Sequence, residues 1–475
     1  MTQRPPAKEF PADLEWVNAT RAPQLAELRG RVILLWFWSY DCVNCWSVVP
    51  DLRFLEDKYH DGLTVVGVHC PKYPQQVPGE SVLRAVNRHR LRHAVANDYG
   101  FRLWQEYGVD AWPSIALIDA EGRLAALFSG EGRRREIDTM IARLLEEAAI
   151  RDLRIYEPSP PALRPEPRLP LAFPGKLLAD ARNVYVADSG HNRVLECTHE
   201  GRVLRQFGSG NPGFSDGLQG EGCFDDPQGL ARWHDTLFVA DRGNHAVRRI
   251  ALGNGNIDTV VGRGRPVRMR PHDTPAQEVG LHSPSDLAVV GDDLFVAVSG
   301  LHQIWRINLV TSHVSVLAGS GQLDLADGVA GGASFAQPSS IGVLGRQLVV
   351  ADAAASAIRW LHIDEARVET AIGSGLYEFG DSGGARSEAR LSNPLGLAVD
   401  PRGIVFIADS YNNGIKVLNR KSGDVRPLRI NYRFHEPGGL SLAAGVLWVA
   451  NTNVHEVMRI DLNSGAAKHV GIGES

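Results

Sequence analysis

Apolar and polar positions in the first 150 residues follow two alternating patterns. Val32–Trp38 is an unbroken apolar run, which predicts a strand covered on both faces. Residues 45–59 place Val48, Val49, Leu52 and Leu55 on one stripe, the spacing of an amphipathic helix. Leu63–His69 predicts a strand, 82–91 a helix, Ala94–Asn97 a short strand and 101–107 a short helix. Residues 115–119 read as a strand turning at Glu121-Gly122 into 124–128, and 133–149 as a charged amphipathic helix. Strands alternating with helices predict an α/β unit over residues 1–155.

The pattern then changes. Residues 157–174 hold seven prolines, at 158, 160, 161, 165, 167, 170 and 174, which excludes helix and core strand. A stiff, extended linker is expected over 156–170. Beyond it the sequence repeats. Asn183-Val184-Tyr185-Val186-Ala187-Asp188-Ser189 returns as Thr236-Leu237-Phe238-Val239-Ala240-Asp241-Arg242, and again around Ala297, Asp352, Asp409 and Asn451. A proline precedes each copy, at 174, 227, 284, 338, 394 and 437. Each unit has room for four short strands, and a lone four-stranded sheet cannot bury both faces. Six such units predict an all-β, six-bladed propeller over 171–475. A fourth strand ending the last unit near Ile472 implies closure without a strand borrowed from the linker.

Composition adds limits. A formal net charge of −5 gives no overall attraction to nucleic acid or anionic membrane. The N-terminus lacks the apolar run of a signal peptide, and Val32–Trp38 is too short to span a bilayer. A cytoplasmic protein without membrane association is therefore expected. Five cysteines in 475 residues do not make a disulfide framework, so the close pair Cys42 and Cys45 is a redox or metal candidate.

The pair lies where a strand gives way to a helix. Amides at a helix start favour a thiolate, and two intervening residues let Cys45 reach Cys42. Zinc would need two further ligands at suitable spacing, and the sequence has no second Cys-X-X-Cys. A vestigial pair is the remaining alternative. Cys70, Cys197 and Cys223 read as structural residues.

The Pro-x-Gly-Leu-Ala and Tyr-Val-Ala-Asp-Ser segments resemble NHL repeats. With the Cys-X-X-Cys region, the chain is similar to NHL-repeat-containing proteins that begin with a thioredoxin-like domain. That resemblance implies a cis Pro113 lying against the redox pair, presenting backbone groups to a bound substrate and keeping metal from the thiols. Tyr40, Trp112 and Pro113 are then the expected substrate-binding residues. Two departures stand out: Trp36 occupies the place of the family's buried acid, and Val43-Asn44 separates the cysteines. The loss of the acid leaves the proton acceptor for Cys45 unassigned.

Two propeller features are ambiguous from sequence. Asp188, Asp241, Asp352 and Asp409 share one register, with Asn451 standing in and Val298 breaking the series. A cation ring is one reading. The other is that each carboxylate fastens its own turn through backbone N–H groups. Arg263, Arg265, Arg268 and Arg270 form a basic loop for binding a partner, or simply a solvated one.

The expected function is that of a thiol–disulfide oxidoreductase-like protein, using Cys42 as the exposed attacking thiol and Cys45 as the resolving thiol. It requires no cofactor or metal. Its partners are a protein disulfide or dithiol client and an upstream reductant, with the propeller as interaction platform and nucleic acid disfavoured. The alternatives are a non-catalytic interaction scaffold and an RNA-binding propeller.

Overall fold

A computed structural model describes residues 4–19, 21–157, 169–376 and 378–473. The chain forms two compact units, Met1–Pro167 and Arg168–Ser475. Residues 158–168, most of the expected linker, lie outside the described residues. Both flanks of the proline-rich stretch are built into a unit. The Ile155 amide bonds the Gly30 carbonyl. Leu171 and Phe173 are buried, and Arg193 holds the Pro170 carbonyl at 2.7 Å. Pro170, at the end of the expected linker, thus belongs to the propeller unit together with 171–174.

The first unit contains β1 (Glu15–Val17), β2 (Val32–Trp38), α1 (Val43–Trp46), α2 (Val49–Lys58), β3 (Leu63–His69), α3 (Gly79–Arg88), β4 (Ala94–Asn97), α4 (Arg102–Glu106), β5 (Ser114–Ile118), β6 (Leu124–Ser129) and α5 (Arg134–Ile150). The sheet order is β1-β4-β3-β2-β5-β6. The pairs β2–β3 and β3–β4 are parallel, and the others are antiparallel. Central β2 is buried throughout: Leu34, Trp36 and Trp38 enter one core cluster, Ile33, Leu35 and Phe37 the other.

The single helix expected over 45–59 is two helices. Pro50 has no N–H to donate to Trp46, so the ladder breaks there and α2 starts afresh with proline in its first turn. Strand β1 leaves no signal in the sequence, because three residues carry no usable period.

The second unit is a ring of six four-stranded blades, at 177–207, 227–262, 284–318, 338–372, 396–427 and 437–470. Blades three to five each gain a short fifth strand at the outer edge. The last strand, Ala467–Val470, belongs to blade six, and no ladder joins blades six and one among the described residues.

One fastener repeats six times. Asn192, His245, His302, Ser356, Asn413 and His455 all adopt left-handed backbone, with φ between 49° and 61°. Each accepts a side-chain hydrogen bond from the amide just before the next blade's proline, at 2.8 to 3.3 Å. The bond from Phe173 to His455 closes the ring. A second bond supports four junctions: Ser189, Ser299, Ser410 and Thr452 donate to the carbonyls of Pro227, Pro338, Pro437 and Pro174.

The repeated carboxylates are fasteners too, but their own turns are held through side chains (His191 on Asp188, Asn244 on Asp241, Asn412 on Asp409) and not through backbone N–H groups. One oxygen of Asp188, Asp241, Asp352 and Asp409 accepts from an amide 16 or 17 residues upstream, at 2.7 to 2.8 Å. They anchor the incoming connector. The second oxygen of Asp241, Asp352 and Asp409 meets Arg248, Arg359 and Lys416, all buried. In blade three Val298 replaces the carboxylate and buried Trp305 replaces the cation, so the pair is lost together.

Candidate active site

Cys42 and Cys45 form a disulfide, with Cα atoms 5.2 Å apart. Cys42 is the N-cap of α1, and the Cys45 amide donates to Cys42 Sγ at 3.2 Å. The expectation of an exposed Cys42 needs correction: it is 4% accessible and Cys45 0%. Tyr40, Trp46 and Trp112 pack against the cluster that holds both cysteines, and Cys42 keeps only the larger share of a small access.

The aromatic packing continues along β2. Trp36 and Trp38 stack 5.0 Å apart, and Trp46 meets Trp38 edge-on at 5.1 Å. Trp46 stacks on His89 and donates its indole N–H to the Tyr40 carbonyl. Trp36 thus fills with apolar surface the place where the family resemblance sets an acid.

A buried polar network flanks Cys42. Asp41 accepts from Ser39 Oγ at 2.6 Å and Gln76 Nε2 at 2.8 Å, and Lys72 Nζ lies 3.2 Å from its other oxygen. Burial opposes the charge on Asp41, but Lys72, Gln76 and Ser39 outweigh it and hold the carboxyl below its ordinary range. Lys72 Nζ also lies 5.1 Å from the Trp112 ring centre.

The Trp112–Pro113 bond is cis. Trp112 packs on Trp104 at 4.3 Å, and the Pro113 carbonyl accepts from the Gly130 amide. Tyr40 stacks on His69 at 5.6 Å while its hydroxyl reaches the Gln75 carbonyl. His69 Nδ1 faces Asn97 Oδ1 at 3.2 Å, and burial lowers its pKa to about 4, against smaller opposing effects of Asn97 and Asp41. Trp112 and Tyr40 are therefore joined to the site through Lys72 and His69.

Known proteins share this architecture. A thioredoxin-like family model matches residues 30–124, and an NHL repeat model matches 391–418. The chain is 31% identical over 515 residues to NHL repeat-containing protein 2 of Homo sapiens, spanning 96% of this chain and 70% of that one. It belongs to the NHL repeat-containing protein 2 family.

Another relative is the Arabidopsis thaliana protein SUPPRESSOR OF QUENCHING 1, chloroplastic, 34% identical across 96% of this chain; the chain spans only 47% of that protein. The first unit alone is 25% identical to thiol-disulfide oxidoreductase YkuV of Bacillus subtilis over 149 residues, 31% of this chain and 99% of that one.

Within this family member, sequence reasoning missed Asp41, Lys72, Gln76 and His69 as site residues. Asp41 adjoins Cys42 and was open to notice. Lys72 and Gln76 carry no local signal, because only the β2–β3 pairing brings their loop back to the cysteines. Cys70 is buried, and burial, aided by Asp98, raises its thiol well above the ordinary range, as suits an inert residue. The basic loop lies in the propeller. There Arg263 bonds the Glu278 carbonyl at 2.8 Å and Arg270 the Ser320 carbonyl at 3.1 Å. Arg263, Arg265, Arg268 and Arg270 are all exposed. Among the described residues no helix is long and apolar enough to cross a membrane.

Proposed function

We propose that this protein is a thiol–disulfide oxidoreductase for protein clients, with Cys42 attacking and Cys45 resolving. The observation that carries this reading is the closed pair at the start of α1, with the Cys45 amide aimed at Cys42 Sγ and Cys45 fully buried. An N–H donor at the sulfur favours thiolate over thiol.

In the reducing direction, the Cys42 thiolate attacks one sulfur of a client disulfide. That bond breaks, a mixed disulfide forms, and the other client sulfur leaves as a thiolate. The Cys45 thiolate then attacks Cys42 Sγ, releasing the second client thiolate. Two electrons pass to the client, and an upstream dithiol must reduce Cys42–Cys45 again. Tyr40, Trp112 and Pro113 would bear the client segment, and the propeller would recruit the client, in a reducing compartment such as the cytoplasm.

An insulin-reduction assay with an added dithiol donor tests this. Cys42→Ser should lose activity, and Cys45→Ser should trap mixed disulfides. Full activity in Cys42→Ser, or equal alkylation rates for both reduced thiols, would overturn the assignment.

A further inference from the structure

The cleft between blades one and two is closed by a polar network, and the cleft between blades five and six is open. In blade one, Glu196 accepts from Asn183 at 2.7 Å and Tyr185 at 3.2 Å, and pairs with Arg205 at 2.5 Å. Arg205 continues to the Leu252 carbonyl of blade two. This network seals the first cleft.

Blade five has the same frame with different residues. Ile404, Phe406 and Val417 stand where Asn183, Tyr185 and Glu196 stand in blade one. Arg426 pairs in register with Val417 as Arg205 does with Glu196. The arginine is kept and its carboxylate is gone. The exposed side chain of Arg426 has no hydrogen-bond or ion-pair partner among the described residues. The facing residue of blade six, Leu462, is half-buried, whereas its counterpart Leu252 is buried. The connector into blade six, residues 428–436, is short and lays no extra strand across the opening.

A cleft of about 670 Å³ results, with an apolar floor of Phe406 and Val417 and with Arg426 and Arg429 in its lining. That volume is within the range of small-molecule sites, roughly 300–1,000 Å³. Asp424 also lines the cleft, while lining Arg402 is paired with Asp400 at 2.8 Å. Arg429, like Arg426, has no carboxylate partner among the described residues. A cation beside an apolar cavity favours a ligand with a carboxylate and an apolar body.

We propose that the cleft between blades five and six binds a small organic carboxylate, whose carboxylate takes at Arg426 the part that Glu196 plays at Arg205. The inference is independent of the redox reading. Decanoate, at concentrations below self-association, is the probe, titrated into the full chain by calorimetry. Saturable one-to-one binding is expected. Arg426→Gln removes a charge-assisted bond and should weaken it roughly tenfold or more, which is about 1.4 kcal/mol at the least. Val417→Glu, which restores the blade-one pair, should abolish it. Should that variant fail to fold, Arg426→Gln and the neutral probe decanol decide. Absence of saturable binding, unchanged affinity in Arg426→Gln, or equal affinity for decanol would overturn the proposal.

Discussion

Asp41 in the first unit and Asp409 in the propeller are both buried carboxylates beside a lysine, 3.2 Å from Lys72 and 2.8 Å from Lys416. Burial opposes charge on both. It is outweighed at Asp41, where Lys72, Gln76 and Ser39 all bear on the carboxyl, so its pKa is lowered; at Asp409 burial wins and the pKa is raised. Asp409 belongs to a series and holds its incoming connector through the Ser392 amide. Asp41 occurs once, beside Cys42, and is held by side chains instead. A repeated polar residue in a ring is therefore read first as a fastener. A singular one beside a cysteine pair is read first as chemistry. The same contrast identifies the open cleft: Val417 is informative because Glu196 shows how a carboxylate fills that place in the frame.

Substitutions should separate the two kinds of residue. The largest difference is expected for Cys42→Ser, which should remove disulfide reduction while leaving the unfolding midpoint of the propeller unchanged, as followed by calorimetry. Arg248→Met strands Asp241 without its cation, and loss of one partner of a buried pair costs about 3–5 kcal/mol. Urea unfolding of the propeller should show that loss, with insulin reduction intact.

Acid removes the contribution of one buried histidine in each unit, while in the propeller the raised carboxyls of Asp241 and Asp352 act in the opposite sense. Burial, with His282 and Arg242, lowers His245 to about 3, and burial lowers His69 to about 4. Both lie below the ordinary value of about 6.5, so the unfolded chain binds protons first as pH falls. Their stabilising contribution is complete above about pH 6.5 and is lost between there and pH 4 for His69, or pH 3 for His245. Each tenfold difference in proton affinity is about 1.4 kcal/mol, so each loss is of order 3–5 kcal/mol. His245→Asn keeps a side-chain acceptor and should remove the histidine's share of the propeller's pH dependence, as measured by unfolding at successive pH values.

Smaller effects come last. Lys72→Met should move alkylation of reduced Cys42 to higher pH by up to about one unit, because the cation that offsets Asp41 is gone. An unchanged alkylation profile would make the Asp41–Lys72 pair purely structural. Thr452→Val removes one closure bond and should cost only about 1 kcal/mol, since the other junction bonds remain.

Much of the fold was legible. Val32–Trp38, Leu63–His69 and Ala94–Asn97 are strands with the bounds their apolar patterns imply. Pro50 carried the helix break, and the amphipathic stripe obscured it. The near-constant spacing from each carboxylate to its connector is also written in the sequence, for example from Asp241 back to Asp225 and from Asp352 back to Ala336. No residue type marks it, because the donors are main-chain amides of unrelated residues.

Local period, repetition and short spacing are enough to specify the α/β unit, the sixfold ring and the Cys42–Cys45 pair. Each can be read within a few dozen residues of chain. The cover over Cys42, the placing of Lys72 and Gln76 beside Asp41, and the cleft between blades five and six arise only in the folded molecule. Those outcomes depend on side chains far apart in the chain meeting at one place, where burial and charge act together. Local pattern carries no record of such a meeting.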